Sequence, residues 1–535
     1  MTSFSPLTLA GLIANHAVSL PNRPAVTFEG GGARPDEVRT YAQLWRGGQR
    51  LARALLDLGT APGEFFAVLM ANHAEFIELM IAAGISGTVF VPIDPRVKGD
   101  KLSYMLNAAG CVGVVAADYA LPHLQEVRLQ VPALRWVLAL PTDEARLPIA
   151  DFAGVRSFDE VLRDAHDELP IATANPDGPM QLIYTSGTTG DPKGIIMTHR
   201  RYCETAAAAQ KLFGYGPGTK PYSGLSLTHA NAQLVTVGSS LSAGLHCVLS
   251  RRFTKSRLWD ITRQHGCTTF TLLGGMTTAV YAEPPKADDG DNPVQYVVSA
   301  GMPTAIWEDF ERRYKVKVLE FYGAAEGGLV VKPIGQGPVG SIGKVPPSFQ
   351  YRIVDEAGRE VAKGASGELL LRAADGSPFK VEYYRNVEAS AKKCGDGWLH
   401  MGDVVHEDAD GWLFFEYRKG GGIRHNGDFV NTAFVEKVIA ESGQVDDVYV
   451  YGVKAASGAP GEKDVVAAVV PKYREGFDPK ALFKLCRAKL EANFVPSYVQ
   501  VLDQIPKTAS EKPQDRFLIE VFEAEPARVF TERAA

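Results

Sequence analysis

The sequence predicts an α/β chain. A large N-terminal domain of α/β subdomains, with a small antiparallel β portion, precedes a small α+β C-terminal domain. Three observations carry this reading. Short β-rich runs alternate with helical patterns through the first four hundred residues, the pattern of parallel sheet. Residues 341–372 change character, because strand-like runs there are separated by Gly-rich turns, which points to antiparallel pairing. Lys419 is followed by three glycines, the most pliant run in the chain. Roughly a hundred residues of compact α+β pattern then follow, enough for a small domain.

The elements follow in order. Phe65–Met70 reads as a strand, Ala74–Ala83 as a helix and Thr88–Pro92 as a strand. Lys101–Ala108 reads as a helix and Val112–Ala116 as a strand. Acidic, Pro-rich Ala282–Pro293 reads as a surface loop. Tyr351–Val354 and Glu368–Leu371 form the antiparallel piece. Beyond the glycines, Phe434–Glu441 and Pro479–Leu490 are helical. Val448–Val453, Val465–Val470 and Tyr498–Leu502 are strand-like.

The chain has 535 residues, too long for one hydrophobic core. Apolar residues make up 45% and charged residues 22%, which excludes a disordered, collagen-like or coiled-coil chain. With a net charge of −6 there is no global basic field for nucleic acid or an anionic membrane, so neither is expected as a partner. The six cysteines never form C-x-x-C pairs, so each is expected to be a small core residue rather than a zinc ligand or half a disulfide. No basic residue precedes Arg23, unlike the start of a secretory signal. The most apolar stretch, Phe76 to Ile93, carries Glu78 and reads as a buried helix followed by a strand. A cytoplasmic protein is expected.

The most informative segment lies at 182–194. An apolar strand runs into Thr185, Ser186, Gly187, Thr188, Thr189 and Gly190, and Lys193 follows. Glycines let backbone N–H groups turn toward one point, the hydroxyls add donors, and the lysine adds charge, which is what a polyphosphate needs. By composition alone, a Gly/Ser/Thr-rich surface loop explains it as well. The spacing is not that of a Walker A loop, which argues against a P-loop kinase or NTPase.

As an ordered string, residues 184–194 resemble the signature loop of the adenylate-forming (ANL) superfamily, which contains acyl-CoA synthetases, peptide-synthetase adenylation domains and firefly luciferase. Further motifs follow in family order. Residues 321–326 resemble Y-G-x-T-E, residues 398–403 resemble W-x-x-T-G-D, and Tyr417-Arg418 and residues 426–428 fall at the hinge and its following loop. Residues 506–512 resemble P-K-T-x-x-G-K. Residues 228–231 and 506–512 look most like the crotonobetaine/carnitine–CoA ligase branch.

The resemblance implies roles and boundaries. Residues 1–417 would form the large domain, 418–422 the hinge and 423–535 a small mobile domain. Glu326 would hold Mg²⁺ beside the phosphates of ATP, as a hard oxygen ligand suits that ion. Tyr322, beside Gly323, would stack on adenine, and Gly301 would pass it by its backbone. Asp403 would accept both ribose hydroxyls, with Arg418 in support. Lys512 would stand between the two anions that meet in the first half-reaction. His229 would line the acyl pocket and gate the thiol route, though a core histidine fits its apolar surroundings equally. Gly420 would be the pivot, and Gly427 would reach the site when the small domain turns to admit coenzyme A.

Departures from the family pattern include Ala325 for Thr, Gly420 for Asp or Lys, and Glu511 for Gly. The function implied is an ATP-dependent carboxylate–CoA ligase that forms an acyl-adenylate and then a thioester. Two alternatives stand beside it. One is transfer to a carrier-protein thiol or an amine, and the other a nucleotide-binding homologue impaired in catalysis. By family position the acid is lined by Thr228, His229, Ala230, Asn231, Gly274, Gly275, Met276, Ala300 and Ala324, with Gly327 and Gly328 nearby. None is Lys or Arg, and small residues leave volume, so a bulky, largely apolar monocarboxylate is expected.

Overall fold

The computed structural model describes all residues except 1–3, 33, 145–146, 163–167, 174, 186–191, 420–422, 426–427, 431, 457–462, 491, 509–510 and 532–535. The chain divides into two compact units. One comprises residues 1–254, 260–271 and 382–389; the other comprises 255–259, 272–381 and 390–535.

The first unit is built on a seven-stranded sheet. Its strands run in the order Val155–Ser157, Trp136–Leu140, Cys111–Ala117, Phe65–Leu69, Val89–Ile93, Pro179–Thr185 and Lys193–Thr198. All neighbours are parallel except the last pair, which is an antiparallel hairpin. Helices Ala74–Ser86 and Gly99–Ala109 make the crossovers, and Gly87 and Gly110 end them with φ of 74° and 70°, the left-handed cap that glycine adopts without strain. The apolar stretch after Phe76 is therefore a buried helix and a buried strand, as its pattern predicts. Its one charge, Glu78, receives a hydrogen bond from Arg39 Nε at 2.9 Å. Helix Tyr41–Asp57 crosses it closely: a Cβ on Gly47 would fall 2.2 Å from Glu78 Cδ. Among the described residues, no helix is long and apolar enough to cross a membrane.

The second unit holds three layers of pairing. Tyr296–Ala300 runs parallel to Lys317–Ala324, which turns back as antiparallel Gly327–Lys332. Phe349–Val354, Gly367–Ala373, Leu399–Glu407 and Leu413–Arg418 make a wholly antiparallel sheet, longer at both ends than the sequence pattern predicts. The C-terminal sheet pairs Val445–Lys454, Lys463–Pro471, Tyr498–Val501 and Val529–Thr531 in that order. One face packs Val450, Val465, Ala467 and Val469 with Leu482 and Phe483 of the helix Pro479–Lys489. The other packs Tyr451, Val466 and Ala468 on Leu518 of helix Asp515–Ala524. That helix and the last strand are absent from the sequence expectation. All six cysteines are free; five are buried and Cys394 is half-buried.

Candidate active site

In the first unit, Thr185 and Lys193 pair directly across the hairpin. The Thr185 hydroxyl donates to the Lys193 carbonyl at 3.3 Å, and Lys193 Nζ lies 5.5 Å from the centre of the Tyr383 ring, within cation–π range. Ser186, Gly187, Thr188, Thr189 and Gly190 lie outside the described residues, as do Gly420 and Gly427.

Thr228, His229, Ala230 and Asn231 form the turn that enters Ala232–Gly238, a π-helical segment. Thr228 Oγ1 lies 2.8 Å from Ser226 Oγ, and His229 Nδ1 accepts the Asn231 N–H at 3.2 Å. That bond fixes the ring and makes Nδ1 the acceptor, so the neutral tautomer carries its proton on Nε2. Thr228 and Ala230 are buried, and His229 and Asn231 half-buried. No sequence signal marked the π-helix, a form that recurs at functional sites.

The second unit gathers the other expected residues. Tyr322 and Gly323 lie near the end of strand Lys317–Ala324, and Glu326 stands in the turn to the next strand. Asp403 lies on the neighbouring sheet, paired in register with Arg418. Arg418 forks onto it, with Nε 2.8 Å from Oδ1 and Nη2 3.3 Å from Oδ2, and the Tyr322 hydroxyl donates to Oδ2. Burial, and then the Asp403 carboxylate, push the Tyr322 hydroxyl far above the usual phenol range, so it remains a donor. Asp403 itself is buried.

Lys512 comes to the same place on a tight hairpin. Thr508 N–H donates to the Lys512 carbonyl at 2.7 Å, and Lys512 N–H returns to Thr508 Oγ1 at 3.2 Å. Lys507 anchors the hairpin through an ion pair with Asp447, Nζ to Oδ2 at 2.5 Å. Lys512 is exposed to solvent, although protein crowds around its ammonium. That crowding holds its ammonium below the usual lysine value; Arg418 adds to the effect, while Asp403 and Glu326 oppose it. An ammonium so placed is poised to receive an anion.

One glycine expected in the acid pocket, Gly274, has a different role. A Cβ on Gly274 would fall 2.5 Å from the Gly301 carbonyl oxygen, so this glycine permits a backbone approach at the start of helix Gly274–Tyr281. Gly275 is open, its nearest neighbour the Glu511 carbonyl at 3.9 Å. Met276 beside them is buried, and Ala300 and Ala324 are half-buried. Gly327 and Gly328 are corrected in the same way. Their missing side chains are replaced by Phe379 at 2.6 Å and Leu371 at 2.7 Å, so they let a hairpin pack against a sheet rather than leave volume.

Two contributors, Glu320 and Lys393, were not visible in the sequence, and the structure adds detail at Gly301 and Glu511. Gly301, with φ of 93°, donates its N–H to Glu320 Oε1 at 2.5 Å, and Met302 N–H donates to Oε2 at 3.1 Å. Glu320 is buried and thus shapes the turn beside Gly274. Glu511 has φ of 57°, left-handed for a residue with a Cβ, at the position where the resembling family has glycine. Lys393, half-buried near the end of helix Val387–Cys394, donates from Nζ to the Met401 carbonyl at 3.3 Å. Glu320 and Lys393 carry no local pattern, and only their neighbours in space make them informative.

The AMP-binding enzyme family matches residues 13–377, and the AMP-binding enzyme C-terminal domain matches residues 435–512. The chain belongs to this family of AMP-binding enzymes. Among its relatives, a medium/long-chain-fatty-acid–CoA ligase of Mycobacterium marinum is 29% identical over 491 residues, covering 90% of this chain and 92% of the relative. A crotonobetaine/carnitine–CoA ligase of Escherichia coli is 25% identical over 489 residues, covering 88% and 91%. The fold is that of the anthranilate CoA ligase AuaEII, solved with anthranoyl-AMP, at a TM-score of 0.81, 21% identity and coverage of 98% and 99%.

Proposed function

We propose that this protein is an ATP-dependent, AMP-forming carboxylate–CoA ligase. The observation that supports this most is the convergence of Lys512 with Glu326, Asp403 and Arg418 in one cluster of a chain from the AMP-binding enzyme family. A carboxylate oxygen attacks the α-phosphorus of ATP, the bond to the β-phosphate oxygen breaks, and pyrophosphate leaves with that electron pair. The Lys512 ammonium sits where the two anions meet and offsets their repulsion. The coenzyme A thiolate then attacks the adenylate carbonyl, AMP departs, and no protein nucleophile is needed.

Glu326 suits Mg²⁺, since one carboxylate together with phosphate oxygens is the donor set this ion takes. When bound it would neutralise phosphate charge. The thioester step calls for the C-terminal domain to turn about residues 418–422. Lys419 is tied down by its N–H to the Gly402 carbonyl at 2.8 Å and by an ion pair with Glu368 at 2.9 Å, which supports a pivot beyond it, at Gly420. For the acid, a largely apolar monocarboxylate is the reading, supported by the lack of Lys and Arg in segments 228–231, 272–276, 300–302 and 324–331.

The test is a panel of carboxylic acids with ATP, followed by pyrophosphate, AMP and acyl-CoA, with and without coenzyme A. The expected result is acid-dependent pyrophosphate release and coenzyme A-dependent acyl-CoA. AMP formation with every acid but no thioester would move the reading to another acceptor.

A further inference from the structure

Lys393 shares its surroundings with Lys512. Both feel the carboxylates of Glu326 and Asp403 as attraction and the Arg418 guanidinium as repulsion. The two lysines arrive from different elements. Lys512 is carried by the C-terminal hairpin, whereas Lys393 stands on the helix Val387–Cys394 that leads into the Asp403 strand. Its Nζ is held by the carbonyl of Met401, two residues before Asp403. Met401 in turn packs on the hairpin that begins at Glu326: its sulfur would lie 3.1 Å from a Cβ on Gly328. Lys393 therefore stands against the strand that carries Asp403, and that strand packs on the hairpin that follows Glu326.

Among the described residues, Lys393 makes no ion pair within 4.0 Å, and the Met401 carbonyl takes only one of its three N–H donors. Burial lowers its affinity for the proton below that of an ordinary lysine. Holding a half-desolvated ammonium against a single neutral carbonyl is unfavourable, and an anion brought to it would reverse that.

We propose that Lys393 is a second cationic contact for the nucleotide and binds its α-phosphate. The choice of phosphate rests on the function proposed above. With Asp403 on the ribose and Glu326 on the metal side of the phosphates, the group between them along the nucleotide is the α-phosphate. Unlike Lys512, Lys393 does not travel with the C-terminal hairpin. It would keep its hold on the α-phosphate through adenylate formation and thioester formation, until AMP leaves.

The test is equilibrium titration of the full chain, without acid or coenzyme A, using AMP and adenosine as separate probes. Wild type should bind AMP more tightly than adenosine; if it binds neither, the nucleotide reading itself fails, and this is distinguishable from failure of the Lys393 assignment. Lys393→Met should weaken AMP binding by about tenfold, the size of one charge-assisted hydrogen bond, and leave adenosine within about twofold. Lys393→Arg should recover most of the loss, because it restores a cation but not the packing of the native side chain. Melting temperatures without ligand should match in all three proteins. Equal weakening of AMP and adenosine, or unchanged AMP binding in a folded Lys393→Met protein, would overturn the proposal. A slow thioester step on supplied adenylate in Lys393→Met, with that step intact in Lys512→Ala, would further separate the two lysines.

Discussion

Tyr322 donates its hydroxyl to Asp403 Oδ2, the oxygen that also receives Arg418 Nη2. With Arg418 Nε on Oδ1, three of the roughly four acceptor sites of this carboxylate are occupied. For Asp403 to take both ribose hydroxyls, as the proposed function has it, Tyr322 would have to release Oδ2.

This arrangement gives an outcome opposite to that of an ordinary contact deletion. Tyr322→Phe keeps the ring and removes the bond that must break. It should bind adenosine at least as tightly as wild type in a direct titration. A tenfold weaker complex would mean that the hydroxyl holds Asp403 ready for the ribose instead of competing for it.

Glu511 bears on how Lys512 is aimed. Its φ of 57° carries a cost of about 1 kcal/mol for a residue with a Cβ, and much of that is relieved in glycine. A β-branched residue fits this region worst. Glu511→Gly should leave adenylate formation within about threefold of wild type, since added freedom in the unfolded chain offsets the relieved strain. Glu511→Val should slow adenylate formation while leaving the thioester step intact. Equal rates for the two variants would show that the turn does not set the Lys512 position.

The sequence made the alternation legible because each element carries its own period. Phe65–Leu69, Ala74–Ser86 and Val89–Ile93 were placed to within a few residues by apolar spacing. Helix Asp515–Ala524 also has spaced apolar residues, Leu518, Val521 and Phe522, but interleaved charges masked the pattern. Of the site, what could be read was what lies in contiguous motifs, such as Lys512 and Asp403. Glu320 and Lys393 could not be read, because a carboxylate within a strand and the second of two adjacent lysines look solvated until the fold encloses them. The glycines misled for a related reason. A missing side chain leaves either a vacancy or a close contact, and only the neighbours of Gly274, Gly327 and Gly328 decide which.

Glu320 makes stability depend on pH in a defined direction. Burial pushes its carboxyl up to about 7, against the opposing N–H groups of Gly301 and Met302. Between the ordinary value of 4.5 and about 7, the folded chain keeps a proton that the unfolded chain has released. Its stabilising contribution is therefore fully present below the lower value and is lost as pH rises through the upper one. Glu320→Gln cannot titrate and keeps an acceptor for Gly301. Relative to wild type, the variant should gain on the order of 2 kcal/mol between pH 5 and pH 8, read as a growing difference in thermal midpoint. A constant difference across that range would mean that Glu320 does not change its protonation on unfolding.

Lys255 holds the C-terminal sheet through Asp446, donating to its carbonyl at 3.1 Å and to Oδ1 at 3.0 Å, and also reaches Glu283 at 3.3 Å. These contacts exist in the pose that brings Lys512 to Glu326 and Asp403, and a rotation of the domain would break them. Partly exposed pairs of this kind contribute at most about 1 kcal/mol, or about fivefold in an equilibrium. Lys255→Met should therefore slow adenylate formation by two- to fivefold at most, by about the fraction of time the pose is lost. The thioester step on supplied adenylate should be unchanged or faster. A loss in both steps would identify a folding defect.

Lys512 supplies the largest expected effect, because its charge acts where two anions meet rather than where either binds alone. Lys512→Ala removes an interaction made mainly as the carboxylate approaches the phosphate, so kcat of adenylate formation should fall by orders of magnitude while ATP binding stays nearly intact. Rapid-quench measurement of acyl-adenylate, with ATP affinity taken from titration, separates the two. Supplied acyl-adenylate and coenzyme A should still give thioester at close to the wild-type rate, since the C-terminal domain would have carried Lys512 away by then. Equal loss in both half-reactions would place Lys512 at a step common to the two, and the division of labour proposed for this hairpin would have to be abandoned.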